Sequence, residues 1–240
     1  KGIFKAVVHH EKRGLIENNH TATHLLHAAL RSLLGEHVQQ RGSLVNDQSL
    51  RFDFSHFAKL SAAELLAVEQ QVNQKIRNNI PLVERRSVPI EEAKEEGAMA
   101  LFGEKYGDTV RMILFDAPYS VELCGGTHVK ATGNIGMFKI ISESSISTGV
   151  RRIEAITADK AESFLWQKID VLDQIEQTLK HPKDALKALK MLFNEKNELI
   201  KQIEVSNKVK TKDLKKTLME AVVVYKELNI ISFEGVFPDA

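Results

Sequence analysis

The chain has 240 residues, 33 of them basic and 32 acidic, for a net charge of +1, with 43% hydrophobic and 27% charged content. That length can bury a core across one or two domains, and the charge balance lacks the bulk signature of a nucleic-acid binder while leaving room for a local basic patch. A single cysteine excludes an intrachain disulfide, no apolar run reaches transmembrane length and no signal peptide opens the chain, so a reducing cytoplasm is the expected compartment.

The chain opens on Lys1 instead of Met, as a piece of a longer protein would. Lys1 to Val8 reads as a short strand. Asn19 is the expected cap of a helix from His20 to about Leu34, with Leu25, Leu26, Ala29, Leu30 and Leu33 as its apolar face and Gly35 as its stop. HVQQRGSLV and LRFDF alternate around Asn46 to Ser49 and predict a β-hairpin. Ser61 and Glu64 form a capping box for a helix that ends before Pro81. A strand at Leu82 to Ser87 follows, then a short helix from Pro89 to near Gly97, then a loop in which Gly103 and Gly107 flank EKY. Strands are expected at 109–115, 119–123, 135–142 and 150–157. Helices among strands make the domain α+β.

Beyond about Ala158 glycine disappears until Gly235, and helical periodicity covers 159–179, 183–204 and 211–227. A helical hairpin or short coiled coil is expected there, either as a spacer or as an oligomerisation arm. The expected domains are therefore 1–158, 159–228 and 229–240. In the last of these, LNIISFEGVF reads as a strand without a partner that opens a truncated further domain.

Two pairs of potential metal ligands stand out. His20 and His24 lie in NHTATHLLH, and Cys124 and His128 lie in ELCGGTHV. Each pair has the i, i+4 spacing that puts two side chains on one helix face. Three imidazoles and a thiolate form a tetrahedral donor set suited to Zn²⁺. His27 shares the helix face with His20 and His24, and reads as a supporting group or a core histidine. Thr21 occupies the position where HExxH proteases carry their glutamate, and the paired cysteines of zinc deaminases are absent. Ligands drawn from remote parts of one domain suit a metal pocket inside a fold, where zinc activates water or polarises a carbonyl. A catalytic zinc normally keeps an open position, which four protein ligands would close.

With NHTATHLLHAAL, HVQQRGSLV, LRFDF, ELCGGTHV and GVRRIEA in this order, residues 1–158 resemble the editing domain of bacterial alanyl-tRNA synthetases. The helices beyond resemble, more weakly, the stretch joining that domain to a C-terminal domain associated with dimerisation. The resemblance implies zinc-dependent hydrolysis of mischarged tRNA(Ala), chiefly the seryl and glycyl esters. ATP would be used only in an aminoacylation domain outside this chain. A pocket built for alanine rejects glycine and serine imperfectly, so a second site has a purpose. The resemblance makes His20, His24, Cys124 and His128 the zinc ligands. Gln40 becomes the editing glutamine that orients water or the ester. Thr23 is an expected reader of the serine hydroxyl, or a helix residue bonded to its own backbone. Gly125 and Gly126 are expected to let backbone approach the substrate. Arg151 and Arg152 are expected to hold acceptor-end phosphates, or to be ion-paired at a strand end. Arg51 and Asp53 are expected to pair within the sheet. The implied partners are the tRNA(Ala) acceptor end, the rest of a synthetase chain and, through the C-terminal helices, a second copy. A zinc- and tRNA-binding module without hydrolysis, an assembly unit stapled by zinc, and a threonyl-type or free-standing editing domain are the competing readings.

Overall fold

The computed structural model describes residues 4–99 and 106–232. The elements in chain order are α1 (His10–Leu34), β1 (Gln40–Val45), β2 (Leu50–Ser55), α2 (Ala62–Arg77), β3 (Val83–Pro89) and α3 (Ile90–Glu95). They continue with β4 (Thr109–Phe115), β5 (Ser120–Leu123), a 3₁₀ turn at Thr132–Ile135, β6 (Phe138–Ser147) and β7 (Val150–Thr157). The remainder is α4 (Ala158–Thr178), α5 (Ala185–Glu220), β8 (Val222–Tyr225) and β9 (Leu228–Ile231). Contacts divide the chain into two compact units, Lys1–Lys168 and Ile169–Ala240, so the division falls inside α4.

The first unit is α+β, as expected. β1, β2, β7 and β6 form an antiparallel sheet in that order, and β3, β4 and β5 form a second antiparallel sheet. α1 packs against β1, β2 and β7 of the first sheet, against β5 of the second and against α2. Every residue from Thr21 to Leu30 is consequently buried. Leu25, Leu26, Ala29 and Leu30 join Phe52, Phe54, Ile113, Phe115, Phe138 and Ile153 in one core. Burial of each large side chain contributes about 1.5–3 kcal/mol before entropy is counted. A smaller cluster of Val88, Ala93, Val110, Met112, Val121 and Leu123 lies around α3 and the second sheet.

Several expectations need correction. α1 begins at His10, and its cap is His9, whose Nδ1 accepts from the Lys12 N–H. Asn19, expected as the cap, is buried in mid-helix. Its amide donates to Asn46 O at 2.8 Å and its Oδ1 accepts from the Thr157 hydroxyl at 2.7 Å. It therefore ties α1 to the β1–β2 turn and to β7, which satisfies a polar group that would otherwise destabilise a buried helix. Gly35 ends the helix as expected, with φ +114. Residues 4–8 form no strand, and the rest of that expected element lies outside the described residues. The EKY loop also falls mostly outside them.

The β1–β2 hairpin forms as expected, and Asn46 Oδ1 closes its turn by accepting from the Gln48 and Ser49 N–H groups. The Ser61–Glu64 capping box is formed at α2. In the second unit the expected helices at 183–204 and 211–227 are one helix, α5. No Gly or Pro interrupts 185–220, so nothing breaks its hydrogen-bond ladder. The helix gives way at Val222–Val224, where three β-branched residues favour a strand. β9 therefore has a partner, antiparallel β8, contrary to the expected unpaired strand. Residues 233–240 of that segment lie outside the described residues. No helix among the described residues is long and apolar enough to cross a membrane.

Candidate metal centre

The ligand atoms of His20, His24, Cys124 and His128 all lie within 4.8 Å of one another. Cys124 Sγ is 3.5 Å from His20 Nε2 and 3.4 Å from His128 Nε2. A tetrahedral zinc with bonds of about 2.0–2.3 Å needs its donors about 3.3–3.8 Å apart, so two of these separations already suit the ion. The imidazoles crowd together, with the His20 and His128 rings stacked at 4.3 Å between centroids and the His24 and His128 rings 4.5 Å apart.

α1 presents His20 and His24 one turn apart, as their spacing requires. Cys124 and His128, which share the same spacing, do not come from a helix. They lie on the loop that follows β5, and the loop turns back so that both reach the same point. Arg111 on β4 holds that loop. Its guanidinium donates to Cys124 O at 2.9 Å and to Gly126 O at 2.5 Å, and through Nε to Glu84 at 2.7 Å. Hydrogen bonds from Arg86 and Arg111 hold the Glu84 carboxyl down to about 2.

Of the two loop glycines, Gly126 is the one a side chain would disrupt. A Cβ there would meet His20 Cε1 at 2.2 Å and Nδ1 at 2.7 Å, whereas one at Gly125 meets nothing within 4 Å. Both glycines line a groove of about 540 Å³ together with Arg86, Ser87, Thr109 and Arg111.

Each ring is also supported from behind. His20 Nδ1 is 3.1 Å from Thr127 O, and His128 Nδ1 is 3.1 Å from Thr21 Oγ1, which also accepts from the Val129 N–H. With Nδ1–H donating in both, Nε2 is left free to ligate. His24 Nε2 lies 3.4 Å from the Glu122 carboxylate, and its Nδ1 is buried with no hydrogen-bond partner. Burial lowers the pKa of all three histidines, that of His128 to about 3. They are therefore neutral near pH 7, which is the form that ligates. Three neutral imidazoles, a thiol and an orphaned buried nitrogen fit a zinc ion.

The remaining expected site residues are placed differently. Thr23 is buried and its hydroxyl donates to Asn19 O at 2.8 Å. Gln40 begins β1, and its amide donates to the Ser43 hydroxyl at 3.2 Å. Arg151 pairs with the buried Glu143. Arg152 pairs bidentately with Asp53 at 2.7 and 2.8 Å, and Arg51 approaches the same carboxylate at 3.8 Å. Sequence reasoning missed Thr21 as a support, Arg111, Glu84 and Glu122. ELCGGTHV begins with Glu122, so the motif contained it without showing what it faces.

Residues 105–154 match the family model described as the threonyl and alanyl tRNA synthetase second additional domain. The alanine–tRNA ligase of Cytophaga hutchinsonii is 56% identical over 227 residues, 95% of this chain and 26% of that protein. That of Bacteroides fragilis is 52% identical over 228 residues, with the same two shares. That of Flavobacterium psychrophilum is 50% identical over 230 residues, 96% of this chain and 25% of the relative. The chain thus spans about a quarter of the length of these relatives. Identity this high along nearly the whole chain shows that it belongs to the alanine–tRNA ligase family, as a stretch of such a protein.

Proposed function

We propose that this stretch hydrolyses mischarged tRNA(Ala), removing serine and glycine from the acceptor end, with zinc held by His20, His24, Cys124 and His128. The observation that carries the reading is the convergence of four neutral or thiol donors from α1 and the loop after β5 to within 4.8 Å. Zinc there supplies Lewis-acid chemistry, polarising a carbonyl and easing loss of a proton from water.

The chain's own residues do the rest. The groove beside Gly125 and Gly126 admits the 3′ end, and Arg86, largely exposed at its edge, supplies a cation that phosphate would share with Glu84. Gln40 offers both a donor and an acceptor for the ester oxygen or for water. The Thr23 proton is committed to Asn19 O, so Thr23 serves a serine substrate only as an acceptor of its hydroxyl proton. Arg151 and Arg152 reach phosphate only by sharing or leaving Glu143 and Asp53. For the whole protein, the proposed reaction is ATP-dependent attachment of alanine to tRNA(Ala) in the cytoplasm, carried out by the parts outside this chain. α5 exposes Leu189, Leu192, Phe193, Ile200 and Ile203, which suits a second copy as its partner.

A second reading has its own observation. Four protein donors fill a tetrahedral shell, which is the pattern of structural zinc. The ion would then fasten the loop after β5 to α1. Deacylation of seryl-tRNA(Ala) and alanyl-tRNA(Ala) by the chain and by Cys124→Ala, with zinc measured on both, separates the readings. Selective serine release that disappears in a folded Cys124→Ala supports hydrolysis. An unfolded Cys124→Ala and an inactive parent support the fastening role.

A further inference from the structure

A stripe of buried polar side chains continues from the metal centre into the interior between α1 and β5. On β5, Val121 and Leu123 face the small cluster around α3, so alternation turns Ser120 and Glu122 to the opposite side, toward α1. Glu122 is almost fully buried, and no Lys or Arg among the described residues forms an ion pair with it. Its neighbours are two histidines of α1. Oε2 lies 3.4 Å from His24 Nε2 and Oε1 lies 3.4 Å from His27 Nδ1. Both contacts are long, neither reaches hydrogen-bond geometry, and Glu122 Oε1 and both His27 nitrogens are buried without a hydrogen bond.

A buried carboxylate held only by imidazoles is costly unless their N–H groups point at it. That requirement fixes the tautomer of His24. His20 and His128 turn Nδ1 toward Thr127 O and Thr21 Oγ1, and Nε2 toward Cys124. His24 is reversed. Its Nε2 faces Glu122, and only Nδ1 remains to be offered to an ion.

We propose that Glu122 is a positioning residue of the metal centre: it accepts the His24 Nε2–H, selects Nδ1 of His24 as the ligand atom, and is itself braced by His27. The inference rests on the zinc reading of the four-donor cluster. Carboxylates that hold a ligating imidazole fix its ring and raise its basicity, and their loss typically costs about 10–100-fold in metal affinity.

Two measurements on the full 240-residue chain decide it. In a two-bond ¹H–¹⁵N spectrum of the zinc-loaded protein, His24 should appear as the Nε2–H tautomer, with His20 and His128 as Nδ1–H. His24 found as Nδ1–H overturns the proposal, and this test needs no variant that must fold. In the second, Co²⁺ affinity and the cobalt absorption bands are read by titration. Glu122→Ala should bind about 10–100-fold more weakly with altered bands, while Glu122→Gln, which keeps an acceptor oxygen, should stay within about fivefold of the parent. Parent-like affinity and bands in Glu122→Ala overturn the positioning role alone. A parent that binds no Co²⁺ overturns the metal centre, and the role of Glu122 with it.

Discussion

Gly125 and Gly126 are neighbours in one loop, yet alanine at each should have opposite consequences. A Cβ on Gly126 would lie 2.2 Å from His20 Cε1. Non-bonded carbons settle at about 3.5–4.0 Å, so the ring must retreat by about 1.3–1.8 Å. Metal sites tolerate about 0.2 Å in ligand distance. The contact is with the far end of a side chain, so His20 can swing away and the metal-free protein should lose little stability. What it should lose is the proposed zinc ligand. Disturbing a supporting group costs about 10–100-fold in affinity, and a displaced ligand should reach the upper end of that range. A hundredfold loss removes about 2.7 kcal/mol of the stabilisation that saturating zinc confers. In a unit of this size that is about 5–11 °C in Tm. Gly125→Ala meets open space and should stay within about 0.5 kcal/mol of the parent, as an ordinary surface change does. The assay is zinc affinity by chelator competition, with thermal unfolding at saturating zinc and in chelator. Gly126→Ala binding zinc as the parent does, or Gly125→Ala weakening it equally, would refute the reasoning.

Other expected outcomes follow from the same contacts. Arg151→Ala strands the buried Glu143 carboxylate and should lower urea stability by about 3 kcal/mol. Arg152→Ala leaves a more exposed pair broken and should cost less in the same measurement. Asn19→Ala orphans Asn46 O and the Thr157 hydroxyl and should cost about 1–3 kcal/mol, read by the same unfolding curves. The Glu84 carboxyl is depressed to about 2 by Arg86 and Arg111, so its contribution is complete above its ordinary value of 4.5 and is lost as pH falls toward 2. The Tm difference between the parent and Glu84→Gln should therefore be constant above about pH 4.5 and shrink below it. A difference that grows on acidification would contradict the pairing.

The four-donor cluster was legible because spacing is a local property. HTATH needs only a helix, and ELCGGTH carries the sole cysteine with a histidine four residues on. Spacing alone did not say whether the second pair sits on a helix or a loop, because i, i+4 fits a turn as well as a helix; Gly125 and Gly126 after an expected strand were the signal for a turn. The supports were hidden for a different reason. Thr21 meets His128 across 107 residues of sequence, and Glu122 faces His24 only because β5 lies along α1. Such roles exist only after the sheet has formed. Asn19 misled because an asparagine before an apolar run has the pattern of a helix cap. Only the folded chain brings Asn46 and Thr157 to its side chain. The capping box at Ser61 and the hairpin around Asn46 to Ser49 were legible because their partners lie within three or four residues. In the second unit periodicity identified helix correctly but not its length, since neither Gly nor Pro marks an end between 185 and 220.

The most direct test of the proposed zinc-dependent editing site is one titration. The chain is stripped of metal and reloaded with zinc in steps, and release of serine from seryl-tRNA(Ala) is followed at each step beside alanyl-tRNA(Ala). Serine release should rise in proportion to zinc and saturate at about one ion per chain, as one four-donor centre requires, while the alanyl ester stays intact. Serine release that is the same at every zinc loading, or equal hydrolysis of both esters, would contradict a zinc-dependent editing site.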